Sequence, residues 1–428
     1  MRPFISIAFF CLLFAGCSRD PDLIHRPPDE VRPMEKGGPS WPRFLGPKGD
    51  NVSTEAGLLT GWPEGGPKLL WTAAGIGQGH SSVTVADGRI YTAGNLGKRT
   101  VVSALDLDGE VVWQAINGDA WTKNYAGTRG TPTVDGDCVY HENASGDLIC
   151  LSTADGAQRW QKNILKEFRG QVPEWGLAES VLIDSDRVIC CPGGRDASVA
   201  ALDKHTGETV WTAADSGDNA GYGSPVLAEC GGLRIVLTMT DKSLIGVDAD
   251  AGELLFRHEH RTKYDVNATS PVYHDGKVLI TSGYGAGTEL LAIRVDGRTA
   301  AIERIWKSDE LDNHFGGVVF LGGRVYGSTH NGPWLCLDWT DGRQLSRHRG
   351  VGKGALTAAE GLLYTLGEKG EMAIVRPDAE EMHVAGRFRI PTAGEEPSWA
   401  YPVVCGSRLY IRHGEQVFAY DVRAARQP

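Results

Sequence analysis

The sequence repeats one short motif eight times, and this repeat constrains the fold more than any other feature. The motif is an apolar strand that ends in Ala-Leu-Asp or a variant of it. The last residues of the eight copies are Asp106, Ser152, Asp203, Asp248, Arg294, Asp338, Arg376 and Asp421. They lie 46, 51, 45, 46, 44, 38 and 45 residues apart. A mean period of about 45 residues is typical of the four-stranded blades of a β-propeller.

Each unit divides into four short strands. In the second unit the segments TPTV, CVYHEN, DLICLS and AQRWQ lie between residues 131 and 161 and alternate with turns that contain glycine. Glycine allows the positive φ angles that tight hairpins need. Since one such sheet cannot bury both of its faces alone, the units are predicted to stack around a common axis. The predicted fold is all-β, an eight-bladed propeller of four-stranded antiparallel blades.

Large apolar residues follow the Ala-Leu-Asp element at a fixed interval, and many of them are tryptophan. Five tryptophans are predicted to dock neighbouring blades: Trp71, Trp113, Trp160, Trp211 and Trp306. Trp71 has no Ala-Leu-Asp element before it, and the last unit ends after its third strand. The strand at 68–73 is therefore predicted to complete the last blade, which closes the ring and removes a free edge.

One copy of the repeat carries a family resemblance. The run ALDKHTGETVW at 201–211 resembles the A-x-D-x-x-T-G-x-x-x-W docking motif of the quinoprotein alcohol dehydrogenase superfamily, and the resemblance covers about residues 41–422. It implies a PQQ-like repeat propeller. The superfamily holds calcium- and PQQ-dependent dehydrogenases as well as non-enzymatic lipoproteins, among them the outer-membrane β-barrel assembly propeller subunit. Four segments, at 175–180, 313–318, 351–354 and 398–402, also resemble PQQ-like repeat lipoproteins of planctomycete type.

The N-terminus has the pattern of an exported lipoprotein. Residues 1–16 carry one arginine and an apolar run too short to span a bilayer, which predicts a signal peptide. Phe14-Ala15-Gly16-Cys17 resembles the bacterial lipobox, so Cys17 is predicted to be acylated and to become the mature N-terminus. Residues 17–40 are rich in proline and charge and are predicted to form a tether outside the core. Residues 41–428 are predicted to form a single propeller domain.

These features predict the location and the partners. The resemblance to a lipobox places the chain in the cell envelope, anchored by lipid to a bacterial membrane and facing the periplasm, and Ser18 after the cysteine favours the outer membrane. The net charge of -11 is spread along the chain without a basic run, so nucleic acid is not an expected partner. The expected partners are the membrane and envelope proteins or peptides. The chain is expected to be a monomer or a component of a larger complex.

The candidate binding residues lie in the segments that lead into the innermost strands. In a propeller these segments converge on the mouth of the central channel. The candidates are His80, Arg129, Trp175, Glu179, Tyr222, Asn267, His314, Lys353 and Trp399. Tyr125 and Tyr401 belong to the same segments. A mixed polar and aromatic ring of this kind suits a ligand or a peptide. The alternative is that these side chains only satisfy loop backbone and close the blades.

An enzymatic alternative depends on calcium ligands and on an adjacent cysteine pair. The superfamily's dehydrogenases need oxygen ligands for Ca²⁺, which Glu179 and Asn267 could supply, with Trp175 as a floor for PQQ. Their spacing matches no dehydrogenase motif. Cys190 and Cys191 resemble the vicinal disulfide of these enzymes, yet they end an apolar strand, which favours buried thiols. The remaining cysteines have no disulfide or zinc spacing.

The sequence therefore favours a non-catalytic, membrane-anchored propeller that binds protein or peptide partners in the envelope, as in outer-membrane protein assembly. No cofactor is expected for this function. The first alternative is a PQQ- and calcium-dependent alcohol dehydrogenase. The second is a carbohydrate-binding propeller, based on the aromatic residues of the mouth. Fold alone cannot separate these functions, because function depends on the site.

Overall fold

The structure is a computed structural model that describes residues 22–214, 216–378, 381–391 and 396–425. The predicted signal peptide at 1–16 and the predicted acylation site at Cys17 lie outside the described residues. Within the described ranges, no helix has the length and apolar character needed to cross a membrane. The fold is an eight-bladed propeller of antiparallel four-stranded sheets, as the repeat predicts.

Two strands precede the first complete blade, β1 (Val52–Ser53) and β2 (Lys68–Ala73). Blade 1 holds β3 (Thr84–Ala86), β4 (Arg89–Leu96), β5 (Arg99–Asp106) and β6 (Val111–Asp119). Blade 2 holds β7 (Thr133–Asp135), β8 (Cys138–Glu142), β9 (Asp147–Ser152) and β10 (Gln158–Asn163). Blade 3 holds β11 (Leu182–Asp184), β12 (Arg187–Cys190), β13 (Val199–Asp203) and β14 (Thr209–Ala213). Blade 4 holds β15 (Val226–Cys230), β16 (Leu233–Met239), β17 (Ser243–Asp248) and β18 (Leu254–Glu259).

The second half of the ring follows the same plan. Blade 5 holds β19 (Val272–His274), β20 (Lys277–Ser282), β21 (Gly287–Asp296) and β22 (Thr299–Ser308). Blade 6 holds β23 (Val318–Leu321), β24 (Arg324–Ser328), β25 (Trp334–Asp338) and β26 (Gln344–His348). Blade 7 holds β27 (Gly354–Ala359), β28 (Leu362–Gly367), β29 (Glu371–Pro377) and β30 (Met382–Arg389). Blade 8 holds β31 (Val403–Cys405), β32 (Arg408–His413) and β33 (Gln416–Asp421). A short helix α1 (Ile164–Glu167) and a 3₁₀ turn (Pro28–Glu30) complete the elements.

The last blade is closed by the N-terminal part of the chain. Strand β2 pairs antiparallel with β33, with Lys68 opposite Asp421 and Ala73 opposite Val417. The fourth strand of blade 8 therefore comes from a segment more than 300 residues before the other three. This arrangement confirms the ring closure that the partial last repeat predicts.

The five docking tryptophans make the same contact with the next blade. Each Nε1–H donates to a backbone carbonyl of that blade at 2.9–3.1 Å; the acceptors are Leu107, Thr153, Lys204, Ala249 and Trp339. Each indole ring also lies on a turn glycine of that blade. At Gly156, for example, a Cβ atom would lie 2.5 Å from the Trp113 ring, and φ is +73°. The glycine is required because a side chain there would displace the ring and strain the backbone.

The described part of the N-terminal segment, residues 22–40, is hydrogen-bonded to blade 1 at several points. The backbone N–H of Arg26 donates to Val112 at 2.9 Å, and that of Gln114 donates to Ile24 at 2.9 Å. Further along, the N–H of Glu35 donates to Asp87 at 2.9 Å. The segment follows the outer strand of blade 1 because that edge strand has backbone groups without partners in its own sheet.

The same segment then crosses one end of the central channel. The backbone of Trp41 pairs with Val85 of blade 1 in both directions, at 2.7 and 2.9 Å. Further along the segment, the Asn51 amide donates to Leu356 of blade 7 at 2.5 Å, and the Ser53 hydroxyl donates to Val404 of blade 8 at 2.7 Å. Residues 41–53, which we call the floor segment, therefore close the end of the channel at which the first hairpin of each blade turns.

Candidate functional site

The other end of the channel holds a cavity of about 450 Å³. Seven of the nine predicted mouth residues line it: His80, Arg129, Trp175, Tyr222, His314, Lys353 and Trp399. Tyr125 and Tyr401 line it as well, and Phe44 of the floor segment reaches it from below. The floor segment therefore lies at the end of the cavity opposite the face that the sequence predicts as the mouth.

Glu179 and Asn267 do not line the cavity, which corrects their prediction as mouth residues. Their neighbours Ala178, Ser180 and Ala268 do. Successive side chains of an extended segment point to opposite faces, so residues between the lining positions point away from the channel. The Asn267 amide donates to three backbone carbonyls of blade 4, those of Thr240, Asp241 and His260. One Glu179 carboxylate oxygen accepts the backbone N–H of Cys191 at 2.7 Å.

Three lining residues lie outside the segments that the sequence predicts at the mouth. Tyr284, His330 and Glu368 follow the second strands of blades 5, 6 and 7. The hairpin between the second and third strands turns at the same face as the segment that enters the first strand. Their position in the repeat, two strands after the predicted mouth segment, was the signal that could have identified them.

Aromatic rings form most of the cavity wall. Trp399 lies 4.8 Å from His80 and 4.8 Å from Tyr125, measured between ring centroids. Tyr284 lies 4.9 Å from His314. Tyr125 and Tyr284 have φ angles of +52° and +60°, which bulky residues rarely adopt. Such strain concentrates at binding and catalytic sites, and here it holds two rings at the entrance.

Among the described residues that line the cavity, positively charged side chains outnumber negatively charged ones. Arg129 donates to the backbone carbonyls of Asn124, Tyr125 and Gly127 at 2.8–3.1 Å, and within the described residues it has no carboxylate partner. Burial lowers the pKa of Arg129 to about 10, so it is charged at neutral pH. Lys353 lies 3.6 Å from Glu368, whose carboxylate also accepts the Trp399 indole N–H at 2.8 Å.

The two histidines predicted at the mouth are neutral at physiological pH. Burial, reinforced by nearby Arg129, lowers the pKa of His80 to about 3. Burial, reinforced by Lys353, lowers the pKa of His314 to about 3. The described residues that line the cavity therefore carry a net positive charge from Arg129, although the whole chain carries -11.

The depressed histidine pKa predicts a loss of stability in acid. As pH falls below about 6.5, the unfolded chain takes up a proton on His314 that the folded chain does not, so the free energy of unfolding falls. Between pH 7 and pH 5, we expect the free energy of unfolding of His314→Gln to fall by about 1–2 kcal/mol less than that of the wild type, measured by urea denaturation. His205→Gln, at an exposed turn, is the control and should follow the wild type. Equal pH dependence of His314→Gln and wild type would contradict this assignment.

The residues present do not fit a calcium and PQQ centre. Glu179 and Asn267, the two predicted calcium ligands, point away from the cavity. Cys190 and Cys191 are buried as separate thiols, as the sequence favours, and burial raises the pKa of both. Across the described ranges, no group of three or more His, Cys, Asp and Glu side chains is placed to hold a metal ion.

Comparisons with known proteins give a family model and similar structures. The model described as "Outer membrane protein assembly factor BamB" matches residues 51–173 and 98–348. The outer membrane protein assembly factor BamB of Kangiella koreensis is 25% identical over 214 residues. That alignment covers 49% of this chain and 49% of the relative, so the chain spans about half the length of this curated relative.

Two solved structures share the fold. The crystal structure of BamB from Moraxella catarrhalis has a TM-score of 0.59 and 17% identity, and the match covers 84% of this chain and 99% of that one. The quinohemoprotein alcohol dehydrogenase from Comamonas testosteroni has a TM-score of 0.61 and 14% identity, and the match covers 91% and 82%. BamB and an alcohol dehydrogenase thus share this propeller fold, and at these identities the likeness concerns the fold alone.

Proposed function

Because this chain belongs to the family described as outer membrane protein assembly factor BamB, we propose that it is a non-catalytic propeller that binds protein partners in outer-membrane protein assembly. The family model covers residues between 51 and 348, which include blades 1 to 6. The proposal therefore rests first on the family and second on the chemistry of the channel mouth.

The observation that supports a binding surface is the exposure of aromatic rings at the entrance. Tyr125 is 56% exposed and Tyr264 is 51% exposed, although most large apolar side chains of the described residues are buried. Tyr264 packs edge to face on Tyr284, which lines the cavity, at 5.1 Å between ring centroids. Exposed aromatic side chains grouped around a concavity are typical of surfaces that bind a partner.

We propose the same cellular placement that the sequence predicts. Acylation of Cys17 would anchor the chain to a bacterial membrane with the propeller facing the periplasm, and the lipobox pattern together with Ser18 favours the outer membrane. The described part of the N-terminal segment, residues 22–40, supports close attachment, because it is hydrogen-bonded along blade 1. The chain would act there as a component of a larger complex, without a cofactor.

The dehydrogenase alternative is less favoured by this site. The fold is shared with a quinohemoprotein alcohol dehydrogenase, yet the side chains expected to bind calcium face the interior of the blades. Trp175 does line the cavity and could form one flat wall. A flat wall serves many planar ligands, so it does not by itself favour PQQ.

Complementation of a strain that lacks this chain tests the proposed function. We expect the wild type to restore the amount of folded outer-membrane barrel proteins, measured by their heat-modifiable mobility. We expect the double variant Tyr125→Ala, Trp399→Ala to restore at most half, because it loses the rings at the entrance. Val210→Ala, on the exposed outer strand of blade 3, is the matched surface control and should act as wild type.

Two results would contradict the proposal. One is normal barrel assembly in the absence of the chain. The other is dye-linked alcohol oxidation by the purified full-length protein after addition of PQQ and Ca²⁺, since turnover would make it an enzyme. Expression and thermal melting of each variant are measured in parallel, so that a folding defect is distinguished from a binding defect.

A further inference from the structure

The outer strand of each blade carries one extra residue directly before the position that the docking tryptophan occupies in five of the blades. The pairing register with the third strand shifts by one residue at this point, so the extra residue forms a β-bulge. These bulges lie on the outer rim of the propeller, where the blades can be compared with one another. The eight bulge residues, in the order of blades 1 to 8, are Val112, Arg159, Val210, Leu255, Ile305, Leu345, Ala385 and Leu70.

In three blades another part of the chain covers the bulge. In blade 1 the backbone N–H of Arg26 donates to the carbonyl of Val112 at 2.9 Å. In blade 7 the backbone N–H of Trp62 donates to the carbonyl of Ala385 at 3.1 Å. In blade 4 the long hairpin of β21 and β22 packs on the outer strand β18. The residue before the bulge and the bulge residue are both apolar in these blades: Val111 and Val112, Leu254 and Leu255, Val384 and Ala385.

In four other blades the residue before the bulge is polar and exposed. In blades 2, 3, 5 and 6 these residues are Gln158, Thr209, Arg304 and Gln344. Within the described ranges, no backbone segment from elsewhere in the chain is hydrogen-bonded to the outer strands of these four blades. Polar side chains are expected at an edge that faces water, and apolar pairs at an edge that is covered. In these seven blades the residue before the bulge therefore distinguishes a covered edge from a free one.

Blade 8 combines the apolar pair of a covered edge with an edge that is exposed. The pair is Leu69 and Leu70 of β2, which are 41% and 37% exposed. In the part of the chain that the structure describes, no backbone segment pairs with the outer side of β2. Two adjacent exposed leucines, at a place where the other exposed edges have a polar residue, indicate a cover from outside the described residues.

The chain that leads to Cys17 leaves the propeller beside this edge. The backbone N–H of Ile24 donates to the Gln114 side chain at 3.2 Å, and the Gln114 amide donates to the carbonyl of Gly75 at 2.9 Å. Gly75 lies two residues after the end of β2, and Ile24 is itself 38% exposed. Cys17 lies five residues before Asp22, so a fully extended chain holds it within about 18 Å of that residue. An acyl group on Cys17 would therefore bring a bilayer to this side of the ring.

We propose that the rim formed by Ile24, Leu69 and Leu70, which we call the lipid-facing rim, rests on the surface of the membrane. The inference rests on the proposed acylation of Cys17. Apolar side chains beside an acyl anchor enter the boundary between headgroups and acyl chains, which strengthens membrane binding and fixes the orientation of the protein. A propeller that rests on its rim stands edge-on to the bilayer, with the channel mouth and the floor segment both open to the periplasm.

Photo-cross-linking of the full-length protein in vesicles of phosphatidylethanolamine and phosphatidylglycerol tests this contact. The photoreactive residue p-benzoylphenylalanine replaces Leu70, and in separate controls it replaces Val210 or Ile305. The controls are matched because both are exposed bulge residues, three blades away from blade 8 on either side of the ring. We expect the probe at position 70 to form at least fivefold more lipid adduct than either control, measured by mass spectrometry. The mass of the N-terminal peptide shows in the same samples whether Cys17 is acylated.

A polar pair tests whether the two leucines hold the rim on the lipid. Leu69→Gln combined with Leu70→Arg gives β2 the pair that blade 2 carries at Gln158 and Arg159. Because both leucines are exposed, we expect thermal melting to be unchanged. We expect the lipid adducts of a probe that replaces Lys68 to fall at least threefold in this variant. Val210→Arg, a similar change in blade 3, is the control and should leave these adducts unchanged.

Three results would overturn the proposal. The first is a purified protein whose Cys17 carries no acyl chain, which would also remove the proposed anchoring. The second is an equal yield of lipid adducts at positions 70, 210 and 305 of the acylated protein. The third is cross-linking from position 70 in intact cells to a second copy of this chain or to another envelope protein in place of lipid. The second result would leave the role in barrel assembly intact, because complementation measures that role separately.

Discussion

Replacement of Trp113 by alanine is expected to lower the free energy of unfolding by about 4 kcal/mol. The Trp113 side chain is 1% exposed and joins blade 1 to blade 2. Its ring covers Gly156, and its Nε1–H donates to Thr153 at 3.0 Å. Alanine would leave a large cavity between the blades and a buried carbonyl without a donor. Urea denaturation of the wild type and the variant measures the difference.

A milder substitution separates the two parts of this contact. Trp113→Phe keeps an aromatic ring and removes the N–H, so we expect a loss of about 1–2 kcal/mol from the missing hydrogen bond and the smaller ring. The chain itself places phenylalanine at this register in blade 4, where Phe256 stands opposite Gly246 as Trp113 stands opposite Ala104. Val210→Ala, on an exposed outer strand, should change the stability by less than about 0.5 kcal/mol. A loss below about 1.5 kcal/mol for Trp113→Ala would show that the blades do not depend on this contact.

The repeat was sufficient to predict the architecture because every blade obeys the same local rules. The eight copies of the motif predict eight blades. The partial last unit and Trp71 together predict that β2 completes the last blade, as it does in the structure. Each rule acts over one or two strands, where sequence patterns are informative. The blade boundaries in the structure follow the Ala-Leu-Asp elements for this reason.

The candidate site was only partly predictable, for two different physical reasons. Glu179 and Asn267 point away from the channel because side chains alternate along each entry segment. Which of them face the channel depends on the register of the segment, and a shift of one residue moves a side chain to the opposite face. The floor segment depends on contacts such as that between Asn51 and Leu356, which lie 305 residues apart. No local sequence pattern predicts a contact of that kind, so the position of the floor segment at one end of the cavity is seen only in the structure.

A second substitution is expected to make the protein more stable. Glu142 is 3% exposed, and its carboxyl group lies beside that of Glu179, which is also 3% exposed. Burial, reinforced by the nearby Glu179, raises the pKa of Glu142 well above its ordinary value. Folding therefore shifts Glu142 toward its protonated form, whereas the unfolded chain releases this proton at neutral pH. Glu142→Gln removes this cost, and we expect it to raise the free energy of unfolding by at least about 1 kcal/mol at pH 7.

The stabilisation gained by Glu142→Gln should depend on pH. A carboxyl whose pKa is raised by folding stabilises the folded state fully below the unfolded pKa, and that contribution is lost as pH rises toward the folded pKa. The advantage of Glu142→Gln over the wild type should therefore be small at pH 5 and large at pH 8, measured by urea denaturation. Glu64→Gln, at an exposed turn, is the matched control and should show no such trend. An advantage that is equal at both pH values, or a loss of stability, would mean that Glu142 is not held as the neutral acid between blades 2 and 3.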